Sequence, residues 1–279
     1  MKDYLAKVKK GFAIAENQGV VYYTIPAFSE LGFFRHAFST RIGGVSEGNQ
    51  KSLNMSFKRE MTPGNVEKNF SRFANAVGFD ENKVVICHYE HGINLERVDL
   101  EHRGMGLFRE NELPFCDGII IDQKEIVAAT IHADCTPIFF ADKKGRAAGV
   151  CHAGWRGIYE GVFGSIMGKL TALYGVMPED IIFGLGPSIK ACCFEVQEDV
   201  ASFFRERFGE SLIIKRGGKI FVDLPMACLM QLKKLGIPAE NITLSEHCTY
   251  CNPELFYSYR RDKKDTGAHA SVIEFIYNI

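Results

Sequence analysis

The sequence predicts an α/β fold in a single domain spanning residues 1–279, and three observations predict it. Short apolar runs bounded by turn residues alternate with stretches whose apolar positions recur at helical spacing. Of the 279 residues, 46% are hydrophobic and 24% charged, enough to fill a large core at a length where one core still suffices. No Pro- or Ser-rich linker, repeat or low-complexity segment divides the chain.

Residues 20–25 and 35–40 are β-branched and aromatic and read as strands, separated by Pro26 and Gly32. Residues 41–54 hold too much Gly, Ser and Asn for a regular element and read as a loop, the kind of segment that carries function. After Pro63-Gly64, the spacing of Val66, Phe70, Phe73, Ala74 and Val77 predicts a helix that Gly78 stops. Five apolar runs follow as buried strands: 84–87, 118–121, 126–131, 137–141 and 147–151. The stripe Ile158, Val162, Ile166, Leu170 and Leu173 predicts a helix over 157–174. Its glycines 157, 161, 164 and 168 predict a face for close backbone approach, since each costs about 1 kcal/mol relative to Ala. A strand at 181–184, a helix at about 195–208, and a helix capped by Asp223 and ended by Gly236 come next. Strands near 241–244, 255–258 and 271–276 complete the chain.

Lys plus Arg is 33 and Asp plus Glu is 34, a net charge of −1, which disfavours nucleic acid as a partner. No apolar run approaches the ~18 residues of a membrane span, and the opening segment has no apolar stretch of a secretory signal. The expectation is a cytoplasmic protein. Nine cysteines in such a compartment read as small hydrophobes, metal ligands or nucleophiles rather than a disulfide framework. Cys248-Thr249-Tyr250-Cys251 has the spacing of a redox or zinc-ribbon pair, but no second such pair exists and Cys192-Cys193 are adjacent, so all four are expected to pack structurally. Gly184-Leu185-Gly186-Pro187 opens like a dinucleotide fingerprint, yet Pro187 and the missing third Gly break it.

His91-Gly92, Asp134-Cys135-Thr136-Pro137 and Cys151-His152-Ala153-Gly154-Trp155-Arg156-Gly157 place metal-ligand residue types beside predicted strand ends, and the last two, flanking the strand near 137–141 and ending the one near 147–151, are expected to converge at one sheet edge. These strings, with Phe38-Ser39-Thr40-Arg41-Ile42-Gly43-Gly44-Val45-Ser46, Gly186-Pro187-Ser188-Ile189, Cys193-Phe194-Glu195-Val196 and Ser258-Tyr259-Arg260-Arg261, resemble the multicopper polyphenol oxidoreductase (laccase-domain) family. The resemblance runs in order from about residue 20 to the end. It implies mixed β-sheets flanked by helices in α-β-α layers, a fold similar to that of deamidating toxins. It also implies a purine nucleoside phosphorylase with adenosine deaminase activity.

By the same resemblance His91, Cys135 and His152 are the metal ligands and the catalytic centre. Two imidazoles and a thiolate suit Zn²⁺, with Cu²⁺ as a competitor, and three protein ligands leave a catalytic position open. Purine nucleosides and phosphate are then the expected partners of a monomer or homodimer. Arg41, Arg156 and Arg260 are candidates for gripping phosphate, with the N–H groups of Gly43 and Gly44 and the Ser46 hydroxyl as an anion nest and Asn54 as a pocket-lining group. Asp117 and Asp134 are expected to orient a ligand, to accept a ribose hydroxyl, or simply to cap local backbone. His88 and His132 are expected in structural or supporting roles, and Trp155 as packing rather than a purine platform. Tyr89 stands where many relatives carry Gln, and Thr266-Gly267-Ala268-His269 lacks the Arg that often follows that Gly. Two other readings stand beside this one: a copper-dependent polyphenol oxidase, disfavoured because the eight histidines include no His-x-His pair, and a Cys–His hydrolase with Cys135 as nucleophile.

Overall fold

A computed structural model describes residues 1–277. Its organisation follows from strands that are apolar on both faces. In Thr136–Asp142, Ile138 and Phe140 face one core and Phe139 and Ala141 another. Gly118–Ile121 divides likewise, Ile120 from Ile119 and Ile121, and Val84–Ile86 splits Val85 from Val84 and Ile86. A strand with period-two side chains and no polar face must be covered on both sides.

Two large sheets supply that cover for each other. A seven-stranded sheet runs in the order Lys9–Lys10, Ile242–Leu244, Ile181–Leu185, Thr136–Asp142, Ala148–Ala153, Gly118–Ile121, Leu95–Arg97. A six-stranded sheet runs Ala13–Asn17, Val20–Thr24, Phe34–Ser39, His269–Phe275, Val127–His132, Val84–Ile86. Their facing sides share one core containing Phe38, Ile119, Ala128, Phe139, Val150 and Ile273. Helices Trp155–Glu160, Val162–Tyr174 and Leu224–Lys234 cover the outer face of the larger sheet, and Asn65–Val77 covers the smaller. The expected sheets flanked by helices are present, with the β layer doubled. A small sheet, Glu195–Val196, Lys219–Val222 and Ile213–Arg216, packs beside helix Glu198–Phe208.

Several sequence expectations change in detail. The helix expected over 157–174 starts at Trp155 and breaks at Gly161, whose φ of 102° ends one helix and begins the next. Only Gly157 of the four glycines makes a close backbone approach: a Cβ there would lie 2.6 Å from the Gly92 carbonyl oxygen, whereas Gly164 and Gly168 face open space. The helix expected from 195 begins at Glu198, because Glu195–Val196 pairs with Lys219–Val222. Residues 255–258 form no strand. The N–H groups of Leu255 and Phe256 donate to Asn252 O, and that of Tyr257 to His269 Nε2 at 2.8 Å, which leaves no ladder to join. The hairpin Ile213–Arg216 to Lys219–Val222 went unpredicted, although Gly217-Gly218, both with positive φ, is the turn pair such a hairpin favours.

The sheet registers bring one end of the structure together. Leu95, Gly118 and Thr136 begin their strands there, while Cys151 pairs with Gly118 and Ala153 with Thr136. Leu185 and Leu244 end their strands at the same edge. Two connections also cross from the smaller to the larger sheet at this end, residues 87–94 and 133–135.

Substituting two of the helical glycines tests their different roles. Gly168→Ala is expected to raise stability by about 0.5–1 kcal/mol, through lower unfolded-chain entropy at an open helical site. Gly157→Ala is expected to lower it by about 1–3 kcal/mol, because the new methyl meets backbone. Denaturant midpoints that moved in the same direction for both would contradict this assignment.

Candidate metal centre

The two crossing connections carry two of the three candidate ligands. His91, in the first, has a φ of 62°, and Asp134, immediately before Cys135 in the second, a φ of 86°. Both are conformations that non-glycine residues adopt only when surroundings hold them. His152 lies near the end of Ala148–Ala153, registered opposite Pro137. One ligand atom from each of His91, Cys135 and His152 lies within 4.8 Å of the others. The expected convergence of Cys135 and His152 at one sheet edge is present, His91 joins them there, and the donor set, two imidazoles and a thiol, fits a zinc or copper ion.

Asp117 organises the trio. Its buried carboxylate accepts His152 Nδ1 at 3.0 Å and the backbone N–H groups of His91 at 3.0 Å and Gly92 at 2.7 Å. Nδ1 of His152 thus carries a proton to Asp117, and Nε2 is left toward Cys135. Asp117 caps the backbone of the first crossing and orients His152, a candidate ligand. Burial disfavours its charge, but the bonds from His152, Gly92 and Glu90 hold its pKa below the usual carboxylate range. Burial likewise opposes charging His152, yet Cys135 and Asp117 outweigh it and lift the metal-free imidazole to about 9. His91 is shifted down, by desolvation and by His152.

The supporting residues separate cleanly. His132 is buried, bonded to Thr130 Oγ1 at 2.8 Å and kept neutral by desolvation. His88 packs on Phe115, ring centroids 4.1 Å apart. The Tyr89 hydroxyl accepts the Ile131 N–H while its ring meets His152 edge-on. Asp134 accepts from Thr249 Oγ1 at 2.6 Å, Ser258 Oγ at 3.0 Å and the Arg260 N–H at 2.7 Å, tying its own crossing to the 245–268 connection.

The three candidate ligands line a cavity of about 700 Å³, a size suited to a small molecule. Phe194, Tyr259 and Arg260 contribute to its wall, as do Lys58 and Arg59 from the 3₁₀ turn Phe57–Arg59. Arg59 is held by Gly267 O at 3.3 Å and lies 5.3 Å from the Tyr259 ring centre. Arg260 donates to Glu195 O at 2.6 Å. Lys58 and Arg59 were missed by sequence reasoning, since a basic pair in an irregular segment has no diagnostic spacing.

The proposed anion nest is not part of this cavity. Arg41 donates to the carbonyls of Lys51, Pro253 and Asn49 and stacks 4.7 Å from the Tyr257 ring centre. The Gly43 and Gly44 N–H groups both donate to Ser52 Oγ at 3.1 Å. Ser46 bonds the Glu60 carboxylate, and buried Asn54 accepts the N–H groups of Ser56 and Ala268. These donors and acceptors close the 41–54 loop on itself and on residues 253–268, so they are spent on structure and do not face the ligand trio. Arg156 is exposed and covers the Trp155 ring at 4.4 Å, while Trp155 stacks toward Phe203. Trp155 packs, as expected, although it also borders the cavity.

Cys192, Cys193, Cys248 and Cys251 depart furthest from expectation. Their sulfur atoms all lie within 4.8 Å of one another, and Cys192 and Cys251 are exposed, so packing does not describe them.

Comparison with known proteins agrees with this architecture. A crystal structure of YlmD from Geobacillus stearothermophilus superposes with a TM-score of 0.86 at 30% identity, covering 95% of this chain and 98% of that one. The curated protein of that organism, purine nucleoside phosphorylase YlmD, is 33% identical over 82% of this chain and 85% of its own length. Purine nucleoside phosphorylase LACC1 of Mus musculus is 33% identical over 86% of this chain but only 55% of its own length, so the chain spans about half of that relative. The model for the family described as multi-copper polyphenol oxidoreductase laccase matches residues 35–276, and the chain belongs to that family.

Proposed function

We propose that this chain is a zinc-dependent purine nucleoside phosphorylase. It would act on adenosine, inosine and S-methyl-5′-thioadenosine with phosphate, giving free base and the sugar 1-phosphate, and deaminate adenosine at the same centre. The observation that carries the reading is the union, in one cavity, of the His91–Cys135–His152 trio with the basic side chains Lys58, Arg59 and Arg260. The names borne by the relatives supply the substrate class.

In phosphorolysis a phosphate oxygen forms a bond to C1′ as the bond from C1′ to N9 breaks, and the electron pair leaves with the purine, which then takes up a proton. Arg59 and Arg260 present guanidinium N–H groups suited to phosphate oxygens, and Lys58 adds a point charge. Binding between these groups converts encounter into a positioned attack. The aromatic wall at Phe194 and Tyr259 offers apolar surface to the nucleoside. Deamination needs water to add at C6 of adenine and ammonia to leave. His91, Cys135 and His152 would hold the metal, with Asp117 fixing the tautomer and aim of His152. When bound by three protein ligands, Zn²⁺ supplies Lewis acidity at an open position.

A second reading has its own support in the series Asp117, His152 and Cys135, in which a carboxylate orients an imidazole toward a thiol as in Cys–His hydrolases. Metal content separates the two: tightly bound zinc favours the first, and a metal-free thiol sensitive to alkylation the second. Copper in place of zinc would revive the oxidase reading.

Purified protein incubated with inosine or adenosine and phosphate is expected to yield free base and ribose 1-phosphate, and Cys135→Ala to abolish both activity and metal at this centre. Full turnover by that variant, or no product from zinc-replete protein, would sink the proposal. Arg59→Ala is expected to raise KM for phosphate by about 10–100-fold, from the loss of about 1.5–3 kcal/mol of charged hydrogen bonding. Arg41→Ala should lower thermal stability and leave that KM unchanged, and kinetics on the two variants distinguish cavity from loop.

Asp117→Asn is expected to weaken zinc about 10–100-fold in competition titrations. The sign of the pH effect follows from His152. Its metal-free imidazole stays protonated up to about 9, and zinc must displace that proton, so affinity should climb as pH rises toward about 9. A flat profile would show that His152 is not a ligand.

A further inference from the structure

We propose that Cys192, Cys193, Cys248 and Cys251 form a second metal site, a structural tetrathiolate site for one Zn²⁺, distinct from the His91–Cys135–His152 centre. The inference stands independently of the proposed catalytic activity.

Topology assembles the four thiols. Ile181–Leu185 and Ile242–Leu244 are neighbouring parallel strands with Leu185 registered to Leu244, so their following loops leave the sheet side by side. The loops then join through a bridge between Ser188 and Cys248, through Thr249 N–H to Ser188 O at 3.2 Å, and through Lys190 Nζ to Ser245 O at 2.9 Å. The adjacent pair Cys192-Cys193 is thereby set against Cys248 and Cys251.

The spacing of the sulfurs selects the ligand class. All four lie within 4.8 Å of one another, with Cys251 Sγ at 3.6 Å from that of Cys192 and 3.3 Å from that of Cys193. A tetrahedral ion with bonds of about 2.3 Å to sulfur requires its thiolates about 3.8 Å apart. The observed group surrounds a single ion of that size, whereas an iron–sulfur cube interposes its own sulfides and spreads its cysteines further. A disulfide would need two sulfurs at about 2.05 Å.

The surroundings suit thiolates. Backbone N–H groups of Lys190, Tyr250 and Cys251 hydrogen-bond to the buried Cys248 sulfur. The Lys190 ammonium, held nearby, offsets part of the double negative charge of a zinc with four thiolates. Binding displaces the thiol protons to solvent, without any change of oxidation state. The ion would pin together two loops, one carrying Ile189 and Phe194 of the cavity wall and the other carrying Thr249, whose hydroxyl donates to the cavity-lining Asp134.

The test uses full-length protein purified under reducing conditions. In a His91→Ala background, which removes the other centre, one zinc per chain is expected to remain and to be lost on adding Cys248→Ser and Cys251→Ser. Cobalt(II) in the same background should show the intense thiolate-to-cobalt absorption of a four-sulfur site, absent from the Cys251→Ser variant. If those variants fail to fold, the unaltered chain still decides. Iodoacetamide labelling of exposed Cys192 and Cys251, mapped by mass spectrometry, should be blocked in the zinc-loaded protein and restored by a chelator. Equal labelling with and without chelator, a disulfide among the four, or acid-labile sulfide would overturn the proposal, whatever the outcome of the nucleoside assays.

Discussion

Two sheets that must each be covered on both faces set the terms for everything else in this molecule. Neither has a polar side to give to water, so each is sandwiched between helices and the other sheet, and the chain has to pass from one sheet to the other. At one end it passes from the smaller to the larger sheet twice, through residues 87–94 and 133–135, and returns through residues 245–268. Tight crossings between packed layers cannot be regular. They are where backbone with positive φ is tolerated and where polar side chains can face inward without a ladder to satisfy them. His91 and Cys135 occupy those crossings, and the register of Ala148–Ala153 sets His152 beside them.

Asp117 turns that proximity into a site. One buried carboxylate accepts bonds from the backbone of the first crossing and from the ring of His152, so the position of one ligand fixes the aim of another. Such an anion is tolerable in an apolar setting because several donors compensate it. Asp134 plays the matching part at the second crossing, gathering Thr249, Ser258 and Arg260 around it. Metal-binding groups, basic groups and aromatic wall thus meet in one cavity through two carboxylates that hold loops rather than act as surface charges.

The four-cysteine cluster extends the same logic by one strand. The loops after Ile181–Leu185 and Ile242–Leu244 emerge at the same end of the larger sheet as the crossings. A metal cross-link is a compact way to stabilise irregular backbone of that kind, and here it would stiffen one wall of the cavity.

Local chemistry was legible in the sequence. The apolar runs at 118–121 and 137–141, the helix between Gly64 and Gly78, and the Asp223 cap, which accepts the Met226 N–H at 3.0 Å, each rest on interactions between near neighbours. The candidate ligands His91, Cys135 and His152 were legible as well, through motif strings that resemble a family. Side-chain destinations across the fold were not. Arg41 looked like an anion grip until three loop carbonyls claimed its donors, while Arg59 carried no signal yet stands in the cavity. Cys193 and Cys248 are 55 positions apart, and only the parallel pairing of two strands makes them neighbours. The sequence by itself determined which segments would be buried and which residue types were available for metal chemistry, because burial and propensity act over a few residues. Tertiary structure decided which of those residues meet, because sheet register sets that and depends on the packing of the whole chain.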